Sequence, residues 1–187
     1  MIAKIFKAHG FHLGDDRFVN PYGYRTYENL HIRRHINRMS TSYSGLDKRL
    51  NSNYSSKHVQ EIFRTNMKRS PWCIKVGPQY FQIINDAFPG IQCVLVLRDT
   101  ENIIKSQYAK RGGHDVREYV EMYVDGINDL HQQHGFPIIQ SDEVIAGEYA
   151  SIKTAMDYCG VSFDPDTAEN CIDRGRWHYA RNMCEVG

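Results

Sequence analysis

The chain has 187 residues, 41% of them hydrophobic and 24% charged, which suits one folded domain and leaves no room for two of ordinary size. Its 23 Lys and Arg balance 22 Asp and Glu, and the net charge of +1 excludes a global field that would draw the whole molecule onto nucleic acid or an anionic membrane. Mean hydropathy is negative, which excludes a largely membrane-embedded chain.

The first residues, Ile2 to His9, place Ile2, Ile5 and Phe6 at helical spacing, with Gly10 as a left-handed terminator. Lys4, Lys7 and His9 interrupt any apolar run of signal-peptide length. Residues 11–27 are loop-like, with Gly14, Asp15, Asp16, Asn20, Pro21 and Gly23 as turn formers. A helix is predicted over residues 28–39, and residues 40–56, rich in Ser, Asn and Tyr, read as a mobile surface segment or lid. Helical spacing returns at Val59, Ile62 and Phe63 within residues 57–68.

Residues 72–76 read as a short strand, Gly77-Pro78 as a turn with Pro78 at the first position of a helix, and residues 80–88 as that helix. The apolar run Gln92 to Leu97 predicts a parallel strand buried on both faces, leading into a helix that Thr100 caps and whose dipole Glu101 complements. Strand, helix, strand in succession implies a right-handed crossover. Beyond it the pattern predicts a helix over residues 116–134, a strand over 136–140, a helix over 146–159 and a helical or irregular tail from Ala168. The fold class is therefore α/β, with all 187 residues in one domain.

In an open parallel sheet, ligands gather beyond the carboxyl ends of strands, where helix N-termini point their free N–H groups. Arg98 stands at such an end, and Ser106 falls in the second turn of the following helix, so the pair is a candidate oxyanion grip. A strand-end arginine equally serves as half of a structural salt bridge.

The segment Arg98-Asp99-Thr100-Glu101-Asn102-Ile103-Ile104-Lys105-Ser106, directly after an apolar strand, resembles the element by which sulfotransferases hold the 3′-phosphate of 3′-phosphoadenosine 5′-phosphosulfate. Lys75, Phe88-Pro89-Gly90 and Asp157-Tyr158-Cys159-Gly160-Val161-Ser162-Phe163 follow the family's order. The opening Ala8-His9-Gly10-Phe11-His12-Leu13-Gly14-Asp15-Asp16 and Asn20-Pro21-Tyr22-Gly23 resemble the bacterial and phage-type members.

The resemblance implies a three-layer α/β/α fold of the P-loop nucleoside triphosphate hydrolase type, with a short parallel sheet. It also implies a phosphosulfate donor held by Arg98 and Ser106, with Lys75 stabilising the transferring group. The basic segment Arg174-Gly175-Arg176, beside Trp177, His178 and Tyr179, is expected to close over the same phosphate; an exposed basic tail is the other reading. The acceptor would be a small molecule or glycan bearing a hydroxyl or amine, with no metal, nucleic acid or membrane involved.

The family's first strand and Gly-rich phosphosulfate loop would lie upstream of Met1 and are expected to be missing here, either because Met1 is an internal methionine or because the protein is a reduced member that binds without transferring. Lys75 is followed by Val76, Gly77 and Pro78, so no familiar general base stands at that strand end. A nucleotide-kinase-like phosphotransferase and a non-catalytic nucleotide-binding module stay open as alternatives.

Among the remaining motifs, His31, Arg34, His35 and Arg38 form one basic helical stripe, read as a solvated face, with anion binding as the alternative and metal ligation not expected. Cys73, Cys93, Cys159, Cys171 and Cys184 show no Cys-x-x-Cys pair and read as reduced thiols of a cytoplasmic protein; Cys171, His178 and Cys184 are too loosely spaced for a metal site. Tyr22, Tyr24, Tyr27, Tyr43 and Tyr54 are candidates for an acceptor pocket or for simple loop packing.

Overall fold

The computed structural model describes residues 1–14, 29–44, 47–68, 70–111 and 116–173. The chain is mixed α/β and packs as two compact units, Ile2–Ile91 and Gln92–Gly187, the second also taking Met1. No helix among the described residues is long and apolar enough to cross a membrane.

In the Ile2–Ile91 unit, helix α1 (Ile2–Ala8) buries Ile5 and Phe6 and ends where Gly10 takes φ +94°, with the Phe11 N–H donating back to the Phe6 carbonyl. The predicted terminator is thus in place. Residues 15–28, with most of the predicted loop and Tyr22, Tyr24 and Tyr27, lie outside the described residues.

Helix α2 (Leu30–Met39) starts at Asn29, whose Oδ1 accepts the Ile32 N–H at 3.0 Å. It buries Ile32, Ile36 and Met39 against Val59 and Phe63 of α3 (Ser56–Asn66) and Ile83, Ile84 and Ala87 of α4 (Phe81–Ala87). Phe63, Trp72 and Phe88 add a mutual aromatic contact, with ring centroids 4.9–5.7 Å apart. Pro78 opens a short 3-10 turn, Pro78–Tyr80, leading into α4, as the Gly-Pro pair predicts.

One expectation, the strand over residues 72–76, is corrected in this unit. Residues 40–56 contain regular structure. Strands β1 (Ser40–Ser44) and β2 (Asp47–Leu50) form an antiparallel ribbon with Ser40 opposite Leu50 and Ser42 opposite Lys48, and a bulge follows between Ser42 and Ser44. Among the described side chains of the ribbon only Leu50 packs against the core, and its strands leave no hydrophobic period in the sequence.

Among the described residues, 72–76 make no ladder. Trp72 bridges His12 alone, through the His12 N–H to the Pro71 carbonyl and the Cys73 N–H to the His12 carbonyl. Trp72, Ile74 and Val76 still alternate inward against the core, which is the pattern that suggested a strand.

In the Gln92–Gly187 unit, β3 (Leu95–Leu97) pairs in parallel with β4 (Ile138–Gln140), in the register Leu95 to Ile138 and Leu97 to Gln140. Helices α5 (Thr100–Arg111) and α6 (Val116–His134) connect them. The parallel crossover among the described residues joins β3 to β4.

The expected burial of β3 on both faces is also overturned. Leu95 is buried, but Val96 on the opposite face is 42% exposed, because the pleat alternates and nothing within the described residues covers that face. A continuous apolar run cannot distinguish the two cases. The helix expected over residues 146–159 is α8 (Ala150–Tyr158), and a separate short helix, α7 (Ser141–Ala146), precedes it and ends where Gly147 adopts φ +92°. Ile139, Val144, Ile152, Ala155 and Met156 are fully buried, and α9 (Pro165–Glu169) adds the equally buried Ala168.

Candidate functional site

Arg98 follows the last residue of β3, and α5 starts two residues after it. The helix cap is Asp99, not Thr100: Asp99 Oδ1 accepts the Asn102 N–H at 2.8 Å and its carbonyl accepts the Ile103 N–H at 3.0 Å. Asp serves better than Thr here because its charge also complements the helix dipole. Glu101, in the first turn, receives a two-pronged grip from Arg117 of α6 at 2.7 and 3.1 Å, which clasps the start of α5 to α6 and holds the Glu101 carboxyl below its usual range.

The carboxyl end of β4 contributes the decisive neighbour. Asp142, in the first turn of α7, places Oδ1 at 3.4 Å from Arg98 Nε, while its Oδ2 accepts the backbone N–H of Asp99 at 2.6 Å. One carboxylate thus ties the two parallel strand ends together. The Arg98 side chain is only 20% exposed, and this burial pulls its guanidinium pKa below the ordinary value, with Asp142 the main opposing influence. Chemically, the end of β3 is an anion receptor made of a half-buried guanidinium and a backbone N–H at a helix start. The anion lying against it is the chain's own Asp142.

Of the residues singled out in the sequence, Ser106 falls in α5 as expected, with its side chain outside the described residues. Arg174, Gly175 and Arg176 lie outside the described residues as well, as do His178 and Cys184. Lys75 belongs to the Ile2–Ile91 unit, where it is exposed. Asp142 was not singled out, although an acidic Ser141-Asp142-Glu143, one residue beyond the apolar Pro137-Ile138-Ile139, marks a carboxylate at a strand-to-helix junction. Among the described residues no group of three or more His, Cys, Asp or Glu is arranged to hold a metal ion.

The chain matches no family model, no curated protein and no solved structure. The site is therefore read from its own chemistry.

Proposed function

We propose that this chain is a sulfotransferase-like, nucleotide-phosphate-binding protein of the three-layer P-loop type. In this reading Arg98 holds the 3′-phosphate of 3′-phosphoadenosine 5′-phosphosulfate, assisted by Ser106 and by Arg174, Gly175 and Arg176. The observation that carries the reading is the half-buried Arg98 at the carboxyl end of a parallel strand, already in contact with a carboxylate. A guanidinium in that position is built to receive an oxyanion, and a phosphate brings more charge and more acceptor oxygens than the carboxylate it displaces.

The donor's chemistry is sulfuryl transfer: the acceptor's oxygen or nitrogen bonds to sulfur as the bond from sulfur to the phosphate oxygen breaks, leaving 3′,5′-adenosine bisphosphate. The protein's part is electrostatic. Arg98 fixes the nucleotide, and Lys75 stabilises charge on the transferring group. The acceptor is a small molecule or glycan with a hydroxyl or amine.

The hydrogen bond from the Asp99 N–H to Asp142 favours a second reading, in which Arg98 and Asp142 are only a tie between strand ends. Calorimetry separates the two. Under the proposal 3′,5′-adenosine bisphosphate binds, ATP binds at least about tenfold more weakly, and Arg98→Ala abolishes both signals. Turnover of the phosphosulfate donor then distinguishes a transferase from a binding module. Preference for ATP points to the kinase-like alternative, and binding of neither nucleotide leaves the structural tie.

A further inference from the structure

We infer that the outward face of α2, together with Lys48 of β2, is a docking surface for the phosphate backbone of a nucleic acid. This surface lies within the Ile2–Ile91 unit and is independent of the Arg98 site.

The net charge of +1 conceals a strong local imbalance. Between Asn29 and Lys68 the sequence holds eight arginines and lysines against only Asp47 and Glu61, so the rest of the chain is net acidic. Helix α2 itself contains three arginines and two histidines and no acidic residue. Because Ile32, Ile36 and Met39 are sunk in the core, Arg33, Arg34, Asn37 and Arg38 are turned outward and exposed. Arg34 and Arg38 are one turn apart, where like charges repel by a few tenths of a kcal/mol, about as much as an opposite pair attracts. A helix that accepts this repulsion is more stable when an anion lies across it.

The hairpin adds a fixed fourth cation. Asn37 Oδ1 accepts hydrogen bonds from Lys48 Nζ at 2.6 Å and from the Tyr80 hydroxyl at 2.9 Å, and Lys48 Nζ also lies 5.2 Å from the Tyr80 ring centre. Lys48 is thereby held against Asn37 of α2 instead of ranging through solvent. Ser42, exposed on β1 and directly opposite Lys48 in the ribbon, adds a hydroxyl on the same face as that lysine. The positive field is also felt locally: His31 is held below its ordinary pKa by burial first, then by His35 and Arg34.

The composition of this face selects the partner. Membrane-surface helices insert apolar side chains, whereas Ile32, Ile36 and Met39 of α2 are in the core; among the described side chains none of the exposed large apolar residues lies on α2. Protein partners are anchored by aromatic and apolar side chains in pockets, and the exposed side chains described on this helix, Arg33, Arg34, Asn37 and Arg38, are all polar. Arginine, lysine and hydroxyl side chains on a rigid helix and ribbon are the groups that contact nucleic-acid phosphates.

Fluorescence anisotropy of the full chain with a labelled duplex of about 20 base pairs, and with a single-stranded RNA of similar length, tests this. Four cations predict a log–log salt slope of about −3.6 on duplex DNA, hence about 10²-fold weaker binding at about 200 mM than at about 50 mM salt. The double variant Arg34→Gln with Arg38→Gln is expected to keep its circular dichroism, because both side chains are exposed. Its slope should shrink by about 2 and its binding at about 50 mM should fall at least about tenfold. Lys153→Ala, removing an exposed cation in the other unit, should change nothing. The inference is overturned by absence of binding at low salt, by unchanged binding of the double variant, or by tighter binding to heparin or to phosphatidylserine vesicles than to either nucleic acid.

Discussion

Asp142 and Arg98, on two different strand ends, are held 3.4 Å apart, and the same carboxylate receives the Asp99 N–H at 2.6 Å. Replacing Asp142 by Ala removes the charge partner of a half-buried guanidinium and leaves a backbone donor without its acceptor. The expected loss is about 1.5–3 kcal/mol in urea unfolding, with Asp142→Asn losing less because its amide oxygen still accepts from Asp99. Equal losses for the two variants would show that the Asp99 hydrogen bond contributes nothing and that the charge carries the whole effect.

Gly14 adopts φ +90°, and a Cβ there would run into the side-chain amide of Asn29, the residue that caps α2. Gly14→Ala therefore combines backbone strain with a displaced cap and should cost about 2–3 kcal/mol. Gly10→Ala has the same sign of φ but meets nothing within 4 Å, so strain alone, about 1–2 kcal/mol, is expected. Thermal unfolding of the two variants measures the difference.

Burial pushes the Cys93 thiol up to about 11, with Cys159 adding to the rise, and burial raises Cys159 as well. Alkylation of Cys93 by iodoacetamide at pH near 8 should run about 10²-fold slower than for a free thiol, and its rate should climb with pH until about 11. Both thiols are protonated in the fold, while an unfolded chain ionises them from about pH 8.5. Stability is therefore present below that pH and falls as pH rises toward 11. A Cys93 reaction profile that levels off near pH 8.5 would contradict this.

What was legible in the sequence was what is local. Helix α6 was read with its observed ends because Val116, Val120 and Ile127 repeat on one face, and the stop of α1 was written in Gly10. Pairing was not legible. Residues 72–76 have a strand's alternation but among the described residues pair only with His12, and the polar β1–β2 ribbon has no hydrophobic period to betray it.

At the candidate site, Arg98 and the start of α5 were visible, but its partner Asp142 lies 44 positions further on and is brought close only by the parallel pairing of β3 with β4. The basic face of α2 was visible as a stripe, yet its excess charge was hidden in a whole-chain sum near zero.

The most direct test of the Arg98 site is calorimetry of 3′,5′-adenosine bisphosphate with the natural chain, Asp142→Asn and Arg98→Ala. If Asp142 stands where the phosphate binds, neutralising it frees the guanidinium, and affinity rises about tenfold or more, a gain of about 1.4 kcal/mol, while Arg98→Ala does not bind. If Asp142→Asn binds no better than the natural chain, or if Arg98→Ala binds as well, the oxyanion role of Arg98 is contradicted.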